Sequence, residues 1–74
     1  METKFKKGDI LICTKSILTY IKIGTIVKID GYDKQYHFTH LNGPYKGHKD
    51  WHFKNSAEAS FKIASKAEQV LYLD

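Results

Sequence analysis

The sequence predicts a small, mainly β fold: a five-stranded barrel with a short C-terminal helix, in one domain spanning residues 1–74. Three observations lead there. Short β-branched and aromatic runs recur along the chain, the composition of strands that pack on a pleated surface. Glycine-bearing turn signals separate them, at Gly8-Asp9, Asp30-Gly31 and Asn42-Gly43. The composition is 42% hydrophobic, 14% aromatic and 27% charged over 74 residues, which suits an ordered domain with room for a single core. Curling the sheet hides most of the strand edges that this much β propensity would expose.

The elements follow in order. Phe5-Lys6-Lys7-Gly8-Asp9 is a turn that leads into Ile10-Leu11-Ile12-Cys13-Thr14, a continuous apolar run of the kind buried on both faces. Lys15 to Ile23 reads as a long loop packing Ile17 or Leu18 over one end of the core. Thr25 to Ile29 is a second strand, and Asp30-Gly31-Tyr32-Asp33 a hairpin turn. Gln35 to Thr39 is its aromatic partner strand. Leu41 to Gly47 holds Asn-Gly, the only proline and a second glycine, which is turn chemistry.

His48 to Lys54 reads as the next strand, with Lys49, Trp51 and Phe53 on one face and His48, Asp50 and His52 on the other. Trp51 is the expected aromatic anchor of the core. Asn55 to Ser60 is small and polar, hence a loop, and Phe61-Lys62-Ile63 a short extended piece. Ser65-Lys66-Ala67-Glu68 is a capping-box pattern. Ala67, Val70 and Leu71 then share one face at helical spacing, so a helix is expected over residues 66–72. A closing strand from Gln69 to Leu73 suits the same residues.

Taken together, the strands and turns match the size of an SH3-like barrel. Phe5-Lys-Lys-Gly-Asp9, Ile23-Gly24-Thr-Ile-Val-Lys-Ile29, the aromatic strand and Trp51 resemble the small SH3-like barrels of bacteriophages and prophages. The ending, Phe61-Lys-Ile-Ala-Ser-Lys-Ala-Glu68, is similar to a recurrent phage segment of the type Phe-Arg-x-Ala-Thr-x-Glu-Glu, with Lys62 and Ser65 in place of its Arg and Thr. Gly24 to Ile29 also resembles the core of a KOW motif. The resemblance implies a small accessory protein that acts inside an infected bacterium by binding a host protein or nucleic acid, and it carries over no catalytic residue.

Charge and composition bound the function. Twelve basic residues against eight acidic ones give a net charge of +4, and every basic residue is lysine. Lysine is a hydrated point charge without the planar fork that reads guanine or clamps phosphate. The excess therefore favours loose electrostatic attraction over sequence-specific readout. No apolar run approaches the roughly 20 residues that span a bilayer, no secretory signal is visible, and the lone cysteine builds no disulfide. The expected compartment is the cytoplasm, that of the host bacterium if the chain is phage-encoded.

The reactive side chains argue against catalysis. His48 and His52 on one strand stand about 13 Å apart, too far for one ion, so the four histidines read as surface and rim residues and no metal or cofactor is expected. Cys13 lies within an apolar run and reads as a small core residue. Asp50 with His48 or His52 has acid–base spacing, which a polar solvent face explains equally well. Gly43 and Gly47 lack the strand–loop–helix context of a phosphate cradle. A domain this small encloses a reaction pocket with difficulty.

Binding is the stronger expectation. Tyr20, Tyr32, Tyr36, Tyr45 and Phe38 exceed what one small core hides. The nominated partner-binding residues are Tyr20, Tyr32, Tyr36 and Tyr45 with Lys28, Lys34, Lys46 and Lys49. A host protein is the expected partner, gripped through an apolar patch with a charged rim. The alternative is nucleic acid bound with low sequence specificity, bases stacking on aromatics while lysines follow the backbone.

Overall fold

In the computed structural model, which describes residues 3–16 and 21–72, a five-stranded antiparallel sheet carries two short helices. Strands β1 (Ile10–Cys13), β2 (Ile26–Asp33), β3 (Gln35–His40) and β4 (Lys49–Phe53) precede helix α1 (Lys54–Ser60). Strand β5 (Phe61–Ile63) and helix α2 (Lys66–Val70) follow. The order across the sheet is β4-β3-β2-β1-β5, a meander with β5 returned to the outer side of β1. β4 and β5 are its two edges and do not pair with each other.

The sheet is nonetheless strongly curled. In a flat sheet β3 and β5, three places apart, would stand about 14 Å from each other. The rings of Phe38 on β3 and Phe61 on β5 instead meet at 5.6 Å. The concave side holds the main core, in which Leu11, Cys13, Val27, Ile29, Tyr36, Phe38 and Phe61 pack with Phe5, Ile21 and Ala57. The convex side of β1 and β2 carries a smaller cluster of Ile10, Ile26 and Ala64, with Ile12, Leu41 and Tyr72 against it. β1 is thus covered on both faces, as its unbroken apolar run predicts. The segment containing Ile17, Leu18 and Tyr20 lies outside the described residues; Ile21, at its end, is fully buried.

Four sequence expectations give way to tertiary context. First, Asp30-Gly31 does not turn the chain. β2 continues to Asp33, the register shifts between Ile29 and Gly31 as a bulge, and the chain reverses at Lys34 with φ 67°. The cross-strand pair of Tyr32 and Tyr36, rings 5.1 Å apart and edge-on, lengthens the hairpin past the Asp-Gly signal. Second, Lys54 to Ser60 is a helix rather than a loop. Ala57 enters the core, and Lys54 pairs with Glu58 one turn on at 3.1 Å.

Third, Trp51 is not the core anchor. The register sets His52 against Tyr36 and Asp50 against Phe38, so β4 turns its His/Asp face inward and Trp51 is 47% exposed. Tyr36 and Phe38 fill the space assigned to it. Fourth, α2 has the full capping box between Ser65 and Glu68, but its apolar face is not buried: Val70 and Leu71 are exposed. The helix is held instead by Gln69 Nε2 donating to the Ala64 carbonyl at 2.9 Å and by Tyr72 against the convex cluster. With residues 66–70 helical, the closing-strand alternative is not adopted there.

Candidate interaction surface

The register of β2, β3 and β4 lays out the convex face in three rows. Lys28, Thr39 and Lys49 form one row; Gly31, His37 and Trp51 the next; Asp33, Gln35 and Phe53 the last. Trp51 and Phe53 are two residues apart on one strand and therefore share a face. Their rings touch edge to face at 5.4 Å. Both remain open to solvent, at 47% and 62% exposure. Asp30, at the bulge, accepts from the Thr39 hydroxyl at 2.7 Å and stands 3.7 Å from Lys49 Nζ. Lys49, two residues from Trp51 on the same strand, is thus paired, and Asp33 shares the face with Lys28.

Beneath this face lies a polar row on the concave side. His40 is buried and its Nε2 lies 3.3 Å from Asp50 Oδ2. The other Asp50 oxygen accepts the backbone N–H of Trp51 at 2.8 Å. His52 stacks on Phe38 at 5.9 Å with planes 16° apart, and its buried Nε2 has no hydrogen-bond partner among the described residues. Burial pushes the His52 imidazole below its ordinary range, the Asp50 charge opposes that shift and nearby His40 adds to it. Asp50 therefore meets His40 across the strands, and its charge also reaches His52 two residues along its own strand. The expected surface histidines are half right only: His40 and His52 are interior, because their face packs on Phe38.

The nominated residues are dispersed. Tyr36 is fully buried, its hydroxyl donating to the Glu58 carboxylate and accepting the Phe5 N–H at 3.2 Å. It is removed from the binding set, since the core uses its ring and α1 its hydroxyl. Tyr32 and Tyr45 are partly exposed, but Tyr32 sits at the β2–β3 hairpin and Tyr45 in the β3–β4 loop beside His40 and His48. Lys34 occupies the hairpin turn and Lys46 the β3–β4 loop. Among the described members of the set, Lys28 and Lys49 alone share the convex face with Trp51. Tyr20 lies outside the described residues.

Cys13 is a core residue as expected, its thiol donating to the Lys15 carbonyl at 3.2 Å and pushed upward in pKa by burial. Among the described residues no three metal-ligating side chains converge, and no helix is long and apolar enough to cross a membrane. No protein-family model matches the chain, and no curated protein or solved structure shows significant similarity to it.

Proposed function

We propose that this protein is a non-enzymatic binding module that grips a protein partner on the convex face of β3 and β4. The observation that carries the reading is the Trp51–Phe53 pair, two large rings held open to solvent side by side. Exposing both has a hydrophobic cost, and aromatic residues of this kind anchor protein interfaces. The local charge favours protein over nucleic acid. Asp30 and Asp33 offset Lys49 and Lys28 on that face, and a phosphate backbone would meet two carboxylates.

The strand order, the curl and the helical turn between β4 and β5 support an SH3-like barrel as the scaffold. The resemblance to phage modules supports an accessory role in an infected bacterium, where the chain would bind and modulate a host protein in the cytoplasm. Affinity capture from nuclease-treated bacterial lysate tests the reading. The partner should survive nuclease and moderate salt, and Trp51→Ala or Phe53→Ala should weaken it about 30-fold, the effect of losing roughly 2 kcal/mol at an interface centre. Loss of binding on nuclease treatment, or a steep fall with salt, would establish the nucleic-acid alternative instead.

A further inference from the structure

Among the described residues β4 is an edge strand, paired with β3 alone. Edges of this kind offer unpaired amides to incoming strands, and an extended peptide adding to β4 would run directly beside Trp51 and Phe53. The amide at the centre of that edge is already taken. Trp51 N–H donates to Asp50 Oδ1 at 2.8 Å. The second oxygen of the same carboxylate is held against His40, a buried ring on β3, at 3.3 Å. An incoming strand would bring its carbonyl oxygen to the place where the carboxylate oxygen sits, oxygen against oxygen.

We propose that Asp50 closes β4 to strand addition, so that the Trp51–Phe53 surface receives the near-neutral apolar surface of a folded protein laid on the sheet face, not an extended segment paired to its edge. The proposal rests on the reading of that face as the interaction surface. The face carries two lysines and two aspartates, Lys49 and Asp30 standing 3.7 Å apart and Lys28 and Asp33 in separate rows, a balance that matches a partner without strong charge. An extended segment relies on backbone hydrogen bonds along an edge for its affinity, and Asp50 withholds the central one.

Two measurements test it. In native-state hydrogen exchange, the Trp51 amide should be slowed about 100-fold or more against the unfolded chain, although it lies on an edge strand. Exchange at the unfolded rate overturns the proposal. The second probe is a synthetic peptide of residues 48–54, which carries the β4 sequence. It should fail to bind the native protein and Asp50→Asn, whose amide oxygen still accepts from Trp51. It should bind Asp50→Ala, and that variant should self-associate in sedimentation. Peptide binding at β4 of the native protein, or a folded Asp50→Ala that neither binds it nor self-associates, overturns the proposal; if Asp50→Ala does not fold, the amide exchange decides. A closed edge with capture unaffected by Trp51→Ala would overturn the face reading alone, and an open edge with capture lost would overturn the closure alone.

Discussion

The indole of Trp51 meets the ring of Phe53 edge-on at 5.4 Å on the outside of the sheet, while His52 between them in sequence stacks on Phe38 inside. One strand thus separates a solvent-facing aromatic pair from a core-facing imidazole. Trp51 is the only tryptophan, so intrinsic fluorescence reports on it directly. Emission should be that of a solvated indole and readily quenched by acrylamide. Trp51→Ala should lower stability by under about 1 kcal/mol, since little of its packing is interior. A blue-shifted, unquenched emission would show the ring to be buried.

Tyr36 and Glu58 form the joint between β3, α1 and the N-terminal segment. The Tyr36 hydroxyl donates to Glu58 and accepts from Phe5 N–H, while Glu58 also accepts from Lys4 N–H at 3.0 Å and from Lys54 at 3.1 Å. Tyr36→Phe keeps the ring and removes the link, which should cost about 1–3 kcal/mol because buried partners lose their bonds. Chemical denaturation measures it.

The same joint has an acid limit. Burial works against the charge on Glu58, yet the Tyr36 hydroxyl, the Lys4 amide and Lys54 outweigh it and hold the carboxyl below its ordinary 4.5. A depressed carboxyl stabilises the fold fully above its unfolded value and loses that contribution as pH falls through the folded value. Stability should therefore drop below about pH 4.5, and Glu58→Gln should flatten the drop. An unchanged acid profile in Glu58→Gln would place the acid sensitivity elsewhere.

Much of this fold is legible in the sequence, and the part that is not has one physical cause. The strands β1, β3 and β5, the start of β2 and the Ser65–Glu68 box are local signals, written in β-branched runs and in capping spacing. Which face of β4 turns inward is not local: alternation divides Trp51 from His52 but is unchanged when the strand is flipped. The register with β3 decides it, because Tyr36 and Phe38 make one side of β3 far more apolar than Gln35, His37 and Thr39 make the other. Pairing β4 to β3 across the Asn42-Gly43 loop sets Trp51 opposite His37, and so on the outside. Helix α1 escapes for a related reason, since Ala57 and Glu58 gain their value from Tyr36 and the core. Tyr36 leaves the exposed aromatics for the same kind of reason, with a ring taken by the core and a hydroxyl by a helix.

His52 sets a second, higher pH window. Its imidazole is held below its ordinary 6.5, chiefly by burial. The unfolded chain therefore takes up the proton first, so the contribution is complete above pH 6.5 and declines as pH falls beneath it. Thermal denaturation should show this decline well before the acid loss from Glu58. His52→Phe retains the stack on Phe38 and removes the unpartnered nitrogen. It should raise stability by about 1 kcal/mol and abolish the decline that sets in below pH 6.5. A variant that keeps the decline would assign it to another group.

Two substitutions on β2 and its turn separate backbone strain from packing. Lys34 reverses the chain at φ 67° between the paired residues Asp33 and Gln35, a conformation that costs a residue with a side chain about 1–2 kcal/mol. Lys34→Gly relieves that strain but adds freedom to the unfolded chain worth roughly 0.5–1 kcal/mol, so a net gain of up to about 1 kcal/mol is expected. Gly31 is the converse. Its φ lies outside the left-handed region and a methyl group placed there meets nothing within 4 Å, so Gly31→Ala should also stabilise, by about 0.5–1 kcal/mol. Gly43→Ala, at φ 77°, should destabilise. Since 1 kcal/mol moves the Tm of a domain this size by about 4–8 °C, calorimetry on the three variants resolves the signs, and a destabilised Lys34→Gly would place the side chain of Lys34, rather than its backbone, in control of the hairpin.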